Sequence, residues 1–381
     1  MNPIISRFFC SMLYFLLLAG MCSVHAQILE QSVQKIKSLQ NVSYTDVVST
    51  KFSFEEGFVV DTLNSQVLFV PEEGNIAGYY YIKGRDHSYA FDGNKMVNLN
   101  LKDSTYQVQK ESVNGQYTRS LLYWASELEK LIDQPANKVV QLPDTLLNNR
   151  AYAHIKVTDF DSIANNEHVY EITDFVFDKK NQLPFLISRR FKGLASDGTF
   201  FGLIENHAYD QYQLDQKNFP DLSVASIPDH FKPPAKRLPV EYLPNGTPSP
   251  PLNVHDLTGK ELQLTTLKGK VVLLNFSLIG CPHCVGAAQM LNRLYDRYND
   301  KVVILNIYPI DQVEAIAKFD KREKVKTASF TTEKSVLKDF PIDGYPSFYL
   351  LDKGGVVIQS YKGFFNDMES QIVAQIDSIS K

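Results

Sequence analysis

At 381 residues the chain is too long for one ordinary domain and comfortable for two, each large enough to bury its own core. A formal net charge of −4 lacks the basic excess that nucleic acid or an anionic membrane surface would demand. Many aromatic residues, 20 Tyr and 24 Phe against a single Trp, lean the composition towards strand-rich structure.

Residues 1–26 read as an address and not as part of the fold. Arg7 precedes an apolar run from Phe8 to Ala19, and Val24-His25-Ala26 puts small residues at the two positions a signal peptidase reads. The run is too short for a spanning helix. Cys22 offers a rival reading as a lipid-bearing cysteine, but Met21 stands directly before it where such sites need a small residue. Cleavage after Ala26 is therefore the expectation, giving an exported, soluble chain. Cys10 and Cys22 leave with the leader, so Cys281 and Cys284 are the two thiols that remain. A single pair is no disulfide scaffold.

A first domain is expected over 27–229. It opens with a helical pattern, Ile28, Val33, Ile36 and Leu39 being apolar. Strand-like runs follow at Val47–Phe54, Val67–Val70, Tyr79–Lys83, Ser88–Phe91 and Lys95–Leu99, with Asp92-Gly93 among the turns. Leu121–Ile132 reads as a helix with Trp124 in the core. Further strands are expected at Ala151–Thr158, Val169–Asp174, Phe185–Phe191 and Phe200–Gln213. The order predicts an α+β domain, one antiparallel sheet curved around a helix or two. Tyr80-Tyr81-Ile82-Lys83, Tyr89-Ala90-Phe91-Asp92-Gly93-Asn94-Lys95, Phe177-Asp178-Lys179-Lys180-Asn181-Gln182-Leu183-Pro184 and Ile227-Pro228-Asp229-His230-Phe231 give it a loose resemblance to the LolA-like lipoprotein-carrier half-barrel. That resemblance implies a fold and attaches no function.

Eight of the 18 prolines fall between Pro228 and Pro251. Proline at that density removes backbone donors and fixes φ, so residues 230–247 read as a semi-extended linker. Residues 248–381 form the second domain. A hairpin around Thr258-Gly259 leads to Val271–Phe276, a continuous apolar strand of the buried parallel kind. A helix over Pro282–Tyr298 is expected to bury Val285, Ala288, Leu291, Tyr295 and Tyr298. Next come a strand at Val302–Ile307, a helix at Gln312–Lys321, and a short helix at Ser335–Phe340. A hairpin of Ser347–Leu351 and Val356–Tyr361 turns at Asp352-Lys353-Gly354-Gly355, and a last helix covers Asp367–Ser378. This β-α-β-α-β-β-α order describes an α/β thioredoxin fold.

Cys281-Pro282-His283-Cys284 sits where the buried strand ends and the helix begins. A helix start offers unpaired N–H groups and the positive end of the macrodipole, which favour thiolate over thiol. Pro282 suits a first turn, having no N–H to leave unpaired. Cys281, at the tip, is the candidate nucleophile and Cys284, one turn inside, the candidate resolving cysteine.

The segment from Leu252 to Lys381 resembles the TlpA/ResA type of thioredoxin-like envelope oxidoreductase. It does so through Leu267-Lys268-Gly269-Lys270-Val271-Val272-Leu273-Leu274-Asn275-Phe276, the cysteine pair, and Gly344-Tyr345-Pro346-Ser347-Phe348-Tyr349-Leu350-Leu351-Asp352. The resemblance implies disulfide exchange with envelope proteins and a role in redox homeostasis. It also implies a periplasmic setting and a membrane redox partner. Pro346 inherits a cis bond, Tyr345 and Pro346 the substrate edge, and Asn275 the place of the buried Asp of thioredoxins proper. Three positions depart from the pattern: Gly280 stands for the usual Trp, Ala287 for a frequent Glu, and Pro282-His283 for the commoner dipeptides. That last pair is similar to the motif of strongly oxidising DsbA-type enzymes, so the direction of electron flow stays open between reductant, oxidant and isomerase.

Other chemistries fare worse. Zinc wants four ligands, and two thiolates with His283 do not make them; no His follows His283 for a copper-delivery site. No metal and no cofactor is called for. A thiol peroxidase would need Thr and Pro where Leu278 and Leu274 stand. His87, His154, His168 and His207 read as ordinary histidines, and Lys318–Lys326 as a solvated helix face. The alternative to an oxidoreductase is a non-enzymatic envelope carrier of an apolar ligand, its thioredoxin-like domain an interaction module.

Overall fold

The computed structural model describes residues 27–379 except 54, 56, 73–74, 111–118, 148, 195–199 and 237. The leader read at 1–26, with Cys10 and Cys22, lies outside the described residues. The chain divides into two compact units, one built mainly from residues up to Lys236 and one mainly from Arg237 onward.

The first unit begins with helix α1 at 27–37. Its apolar stripe is buried throughout, Ile28, Val33 and Ile36 together with Leu39 just beyond. Strands β1 (Asn41–Phe52), β2 (Val59–Glu72), β3 (Asn75–Lys83), β4 (His87–Phe91), β5 (Met96–Asn100) and β6 (Thr105–Gln109) form an antiparallel meander. After helix α2 (Leu121–Ile132) come β7 (Val139–Leu147), β8 (Arg150–Ala164), β9 (Glu167–Asp178), β10 (Pro184–Leu194) and β11 (Phe200–Leu214). Pairing of β11 with β1 joins both runs into one 11-stranded sheet of order β6-β5-β4-β3-β2-β1-β11-β10-β9-β8-β7.

Both helices pack into the same core with the sheet, α2 contributing Leu121, Leu122, Trp124, Ala125 and Leu128. The start of α2 is fixed by Ser120, whose hydroxyl accepts the Tyr123 N–H at 3.3 Å, and by Tyr44, whose hydroxyl accepts the Leu121 N–H at 2.8 Å. Two strands, β6 and β7, lie where the sequence pattern predicts none. They are the sheet's edges, and edges carry no continuous apolar face. Strand β6 is largely exposed, and β7 contains Pro143 beside a register shift between Leu142 and Thr145.

One buried polar cluster interrupts this core. Asp46 and His207 are each 2% exposed, and His207 Nδ1 donates to Asp46 Oδ2 at 2.7 Å. On its other side His207 Nε2 lies 3.9 Å from Glu205 Oε1, and Arg119 Nε lies 3.6 Å from Glu205 Oε2. Burial works against the imidazolium, but hydrogen bonds and charge from Asp46 and Glu205 outweigh it and raise His207 to about 9. Burial also raises the Asp46 carboxyl despite that partner, so the pair gains less than His207 alone would imply. A raised basic pKa stabilises the fold fully below the unfolded value, about 6.5, and that stability is lost as pH rises through the folded value. The first unit should therefore lose more than about 1 kcal/mol between about pH 6.5 and 9.5. His207→Gln should flatten that loss in denaturant titrations; an unchanged slope would show that another group titrates.

The second unit is a 7-stranded sheet of order β13-β12-β16-β15-β14-β17-β18. Its strands are β12 (Asn253–Asp256), β13 (Glu261–Gln263), β14 (Val271–Phe276), β15 (Val302–Tyr308), β16 (Ala328–Thr331), β17 (Ser347–Leu351) and β18 (Val357–Lys362). Its helices are α3 (Pro282–Tyr298), α4 (Val313–Glu323) and α5 (Met368–Ile379). Central strand β14 pairs parallel with β15 and antiparallel with β17, and all its residues are buried. Alternation explains why it is apolar on both faces. Val271 and Leu273 pack with Leu291 and Leu294 of α3 and Ile372 of α5, while Val272, Leu274 and Phe276 pack with Phe340, Tyr349 and Leu351.

Two expectations need correction here. Strand β16 enters between α4 and β17, where the polar, four-residue segment Ala328–Thr331 shows no strand signal. The buried face of α3 is also rotated from the expected one. Ala287, Ala288, Leu291, Leu294 and Tyr298 face the core, whereas Val285 is half-buried and Tyr295 is 37% exposed. Cys284 is buried on the same face.

Candidate active site

Strand β14 ends at Phe276 and α3 starts at Pro282, so the intervening loop delivers Cys281 to the helix N-cap with extended backbone, φ −98° and ψ 117°. Pro282 takes the first helical position, and the Cys284 N–H donates to the Cys281 carbonyl at 3.1 Å. Gly280 has φ +84°, a conformation that glycine adopts without strain. A Cβ there would meet no atom within 4 Å, so the requirement is backbone conformation and not space.

The two sulfurs occupy different environments. Cys281 is half-buried and its Sγ lies 3.4 Å from the Tyr345 carbonyl, to which it donates in its thiol form; Cys284 is 1% exposed, and no disulfide joins them. The Tyr345–Pro346 bond is cis. Pro346 is buried and Tyr345 half-buried, while Pro282 and His283 are exposed. The Cys281 thiol is lowered to about 6, first by the hydrogen bond from the Cys284 side chain. Burial opposes that, and the Cys284 N–H, the charge of His283 and the His283 N–H assist it. Burial raises the Cys284 thiol far above its usual range, with the neighbouring Cys281 sulfur adding to the effect. At neutral pH the pair therefore favours a single proton, held on Cys284, with Cys281 as the thiolate. The imidazole contributes to this but ranks behind the second thiol, which reverses the emphasis the sequence motif suggests.

The remaining expected residue, Asn275, is 2% exposed on β14. Its Nδ2 donates to Asn306 Oδ1 at 3.0 Å, and Asn306 Nδ2 donates to Thr327 Oγ1 at 2.6 Å. This ties β14 to β15 and to the segment before β16. Ala287 is fully buried among apolar neighbours. Three residues escape the sequence reading. Ser277 is 1% exposed at the end of β14, Tyr308 is 2% exposed at the end of β15, and Asp311 accepts the Ile279 N–H at 3.1 Å through Oδ2. Ser277, a hydroxyl directly after an apolar run that only Asn275 interrupts, was the available signal; Tyr308 and Asp311 had none.

A thiolate at a helix start, a buried thiol one turn behind it and a cis proline opposite, set on a mixed sheet with helices on it, define a thioredoxin-like oxidoreductase. The AhpC/TSA family matches residues 245–372. Thiol-disulfide oxidoreductase ResA of Bacillus thuringiensis subsp. konkukian is 32% identical over 125 residues, covering 32% of this chain and 72% of that protein. Thioredoxin-like protein YneN of Bacillus subtilis is 27% identical over 135 residues, 35% of this chain and 79% of that one. A solved putative thiol:disulfide interchange protein DsbE from Chlorobium tepidum is 20% identical, with a TM-score of 0.35 over 36% of this chain and 99% of that chain. The chain belongs to the ResA family of thiol–disulfide oxidoreductases.

Alkylation of Cys281 should follow a titration centred near pH 6. Cys284→Ala, which removes the largest lowering influence, should raise that midpoint by about a unit or more, and His283→Ala by less. A larger shift from His283→Ala than from Cys284→Ala would contradict this ordering.

Proposed function

We propose that the protein exchanges disulfides with envelope proteins, using Cys281 as nucleophile and Cys284 as resolving cysteine, and that it runs chiefly as a reductant. The observation that carries this reading is the asymmetry of the pair: one partly accessible sulfur, Cys281, 3.4 Å from the Tyr345 carbonyl, and one buried sulfur, Cys284, behind it. The Cys281 thiolate attacks a substrate disulfide and forms a mixed disulfide, and one substrate sulfur departs as thiolate and is protonated by water. Cys284, giving up its proton, then attacks Cys281 Sγ. The Cys281–Cys284 bond forms, the Cys281–substrate bond breaks, and the second substrate sulfur leaves with the electron pair and takes up a proton. Two electrons pass from the dithiol to the substrate. Tyr345 and Pro346 are the proposed edge against which the substrate chain lies.

Magnitude supports the direction. Thioredoxin's reactive thiol has a pKa of about 7 and DsbA's about 3.5, with potentials near −270 and −120 mV. A thiol at about 6 lies about one unit from the first and more than two from the second. One unit is about 1.4 kcal/mol, or about 30 mV. That comparison supports a reducing role for the pair despite the resemblance of Pro282-His283 to the oxidising motif.

The leader read at 1–26 supports an extracytoplasmic setting, and the N-terminal unit is proposed to recognise partners. Its LolA-like character rests on the quoted turn motifs. The carrier alternative fits less well. The face of the sheet such a carrier would use is packed by α1 and α2. The cavity of about 410 Å³ beside α2 is lined by Arg119, Lys130, Lys138, Glu171 and Arg189 as well as by Trp124 and Phe175. Such a lining does not suit an acyl chain.

Cys281→Ser should abolish dithiol-dependent reduction of a protein disulfide. Cys284→Ser should abolish turnover while trapping the mixed disulfide on Cys281, visible by intact mass. Equal activity in both variants and the parent would defeat the assignment. Equilibration in a glutathione buffer should give a potential within about 30–40 mV of thioredoxin's; a value near −120 mV would reverse the proposed direction.

A further inference from the structure

We infer that Ser277 is a further catalytic residue of disulfide exchange, its hydroxyl donating a hydrogen bond to the Cys284 sulfur as that buried thiol ionises to attack the mixed disulfide. The inference rests on the reading of Cys284 as the resolving cysteine and asks how that sulfur becomes reactive.

Cys284 is 1% exposed, and burial is the main influence holding it protonated. Its attack nonetheless requires a thiolate, and a buried charge needs hydrogen-bond donors to replace water. The donors facing this sulfur are the Ser277 hydroxyl and the Leu278 N–H, both favouring the ionised form. The same Ser277 hydroxyl reaches the phenol of Tyr308. Both side chains lie at the ends of the two central parallel strands, and the Ser277 N–H is held by the Ile307 carbonyl at 2.9 Å. The Ser277 hydroxyl thus lies within hydrogen-bonding reach of both the thiol and the phenol, and all three residues are 2% exposed or less. Asn275, two residues earlier, spends its amide on Asn306, and its Oδ1 has no hydrogen-bond partner among the described residues. An acceptor oxygen cannot steady a thiolate.

The titratable groups around the sulfur are Cys281 at the N-cap of α3, Tyr308 at the end of β15 and Tyr345 before β17, while Asp311 and Asp320 act on Tyr308. In the resolving step the Tyr308 O–H donates to Ser277 Oγ and the Ser277 O–H donates to the Cys284 sulfur. The Cys284 proton leaves to water. The new sulfur–sulfur bond then discharges the thiolate, and both hydroxyls keep their own protons throughout.

The test is a reaction of the fully reduced chain with one equivalent of a chromogenic aryl disulfide. Attack by Cys281 releases the first aryl thiolate and attack by Cys284 the second, so the two steps are read separately. Ser277→Ala should leave the first phase unchanged. It should slow the second about tenfold near neutrality and move its pH profile up by about one unit, as loss of a hydrogen bond to a charged group does. Ser277→Thr, which keeps a hydroxyl, should return the profile towards that of the parent. A second phase with the parent's pH profile in Ser277→Ala overturns the inference, and so does a slowed phase whose profile does not move, which would mark a packing role. Cys284→Ser checks the underlying reading independently: one aryl thiolate supports it, and two would remove it whatever Ser277 does.

Discussion

The chemistry of this protein depends on one shared proton between two sulfurs. A cysteine at a helix tip gains from the N–H groups and dipole of that helix, but those alone are generic to every helix start. What distinguishes Cys281 is a thiol one turn below that burial holds protonated in the resting pair and so donates. Burial of one sulfur and exposure of the other are thus a single device. The exposed sulfur becomes a nucleophile because the buried one remains an acid, and the roles are assigned by depth and not by chain order.

Depth in turn is set by strand β14. Its uninterrupted burial makes it the centre of the second sheet, and its pairing with β15 and β17 fixes where it ends. From that end the loop with Gly280 at φ +84° turns the chain into α3. The helix is phased so that Cys284 joins Ala287, Leu291 and Leu294 on the inner face. The opposite wall comes from β17, whose first residue follows Pro346 and pairs with Phe276. Three segments therefore meet at one end of the sheet's central strands.

Much of this was legible beforehand, and what was not has a physical pattern. Val271–Phe276, Pro282–Tyr298, Leu121–Ile132 and Ser347–Leu351 announce themselves because a wholly buried strand, a capped helix and an apolar run before a turn each leave a periodic signature. Strands β6, β7 and β16 left none, being short, polar or broken by Pro143. The cysteine pair was legible from spacing. The order of influences on it was not, because His283 is a neighbour in sequence while Ser277, Tyr308 and the depth of Cys284 are facts of packing. The Asp46–His207 pair was hidden for the same reason: 161 residues separate partners 2.7 Å apart.

Polar groups set into an apolar strand are costly, and their positions follow from that cost. An unmade hydrogen bond in a buried site costs roughly 1–3 kcal/mol. Asn275 meets part of its requirement by bonding Asn306, which bonds Thr327, so a lateral ladder crosses three neighbouring segments. Ser277 meets its own through Tyr308 and Cys284. The first of these connections joins structural residues only and serves register. The second ends on a sulfur whose charge changes during exchange, so its value differs between the two redox states. An interaction of equal strength in both would fix the fold without altering the potential, whereas one that strengthens as the sulfur ionises lowers the barrier to resolution. On this ground the strand's two polar residues, only two positions apart, belong to different tasks.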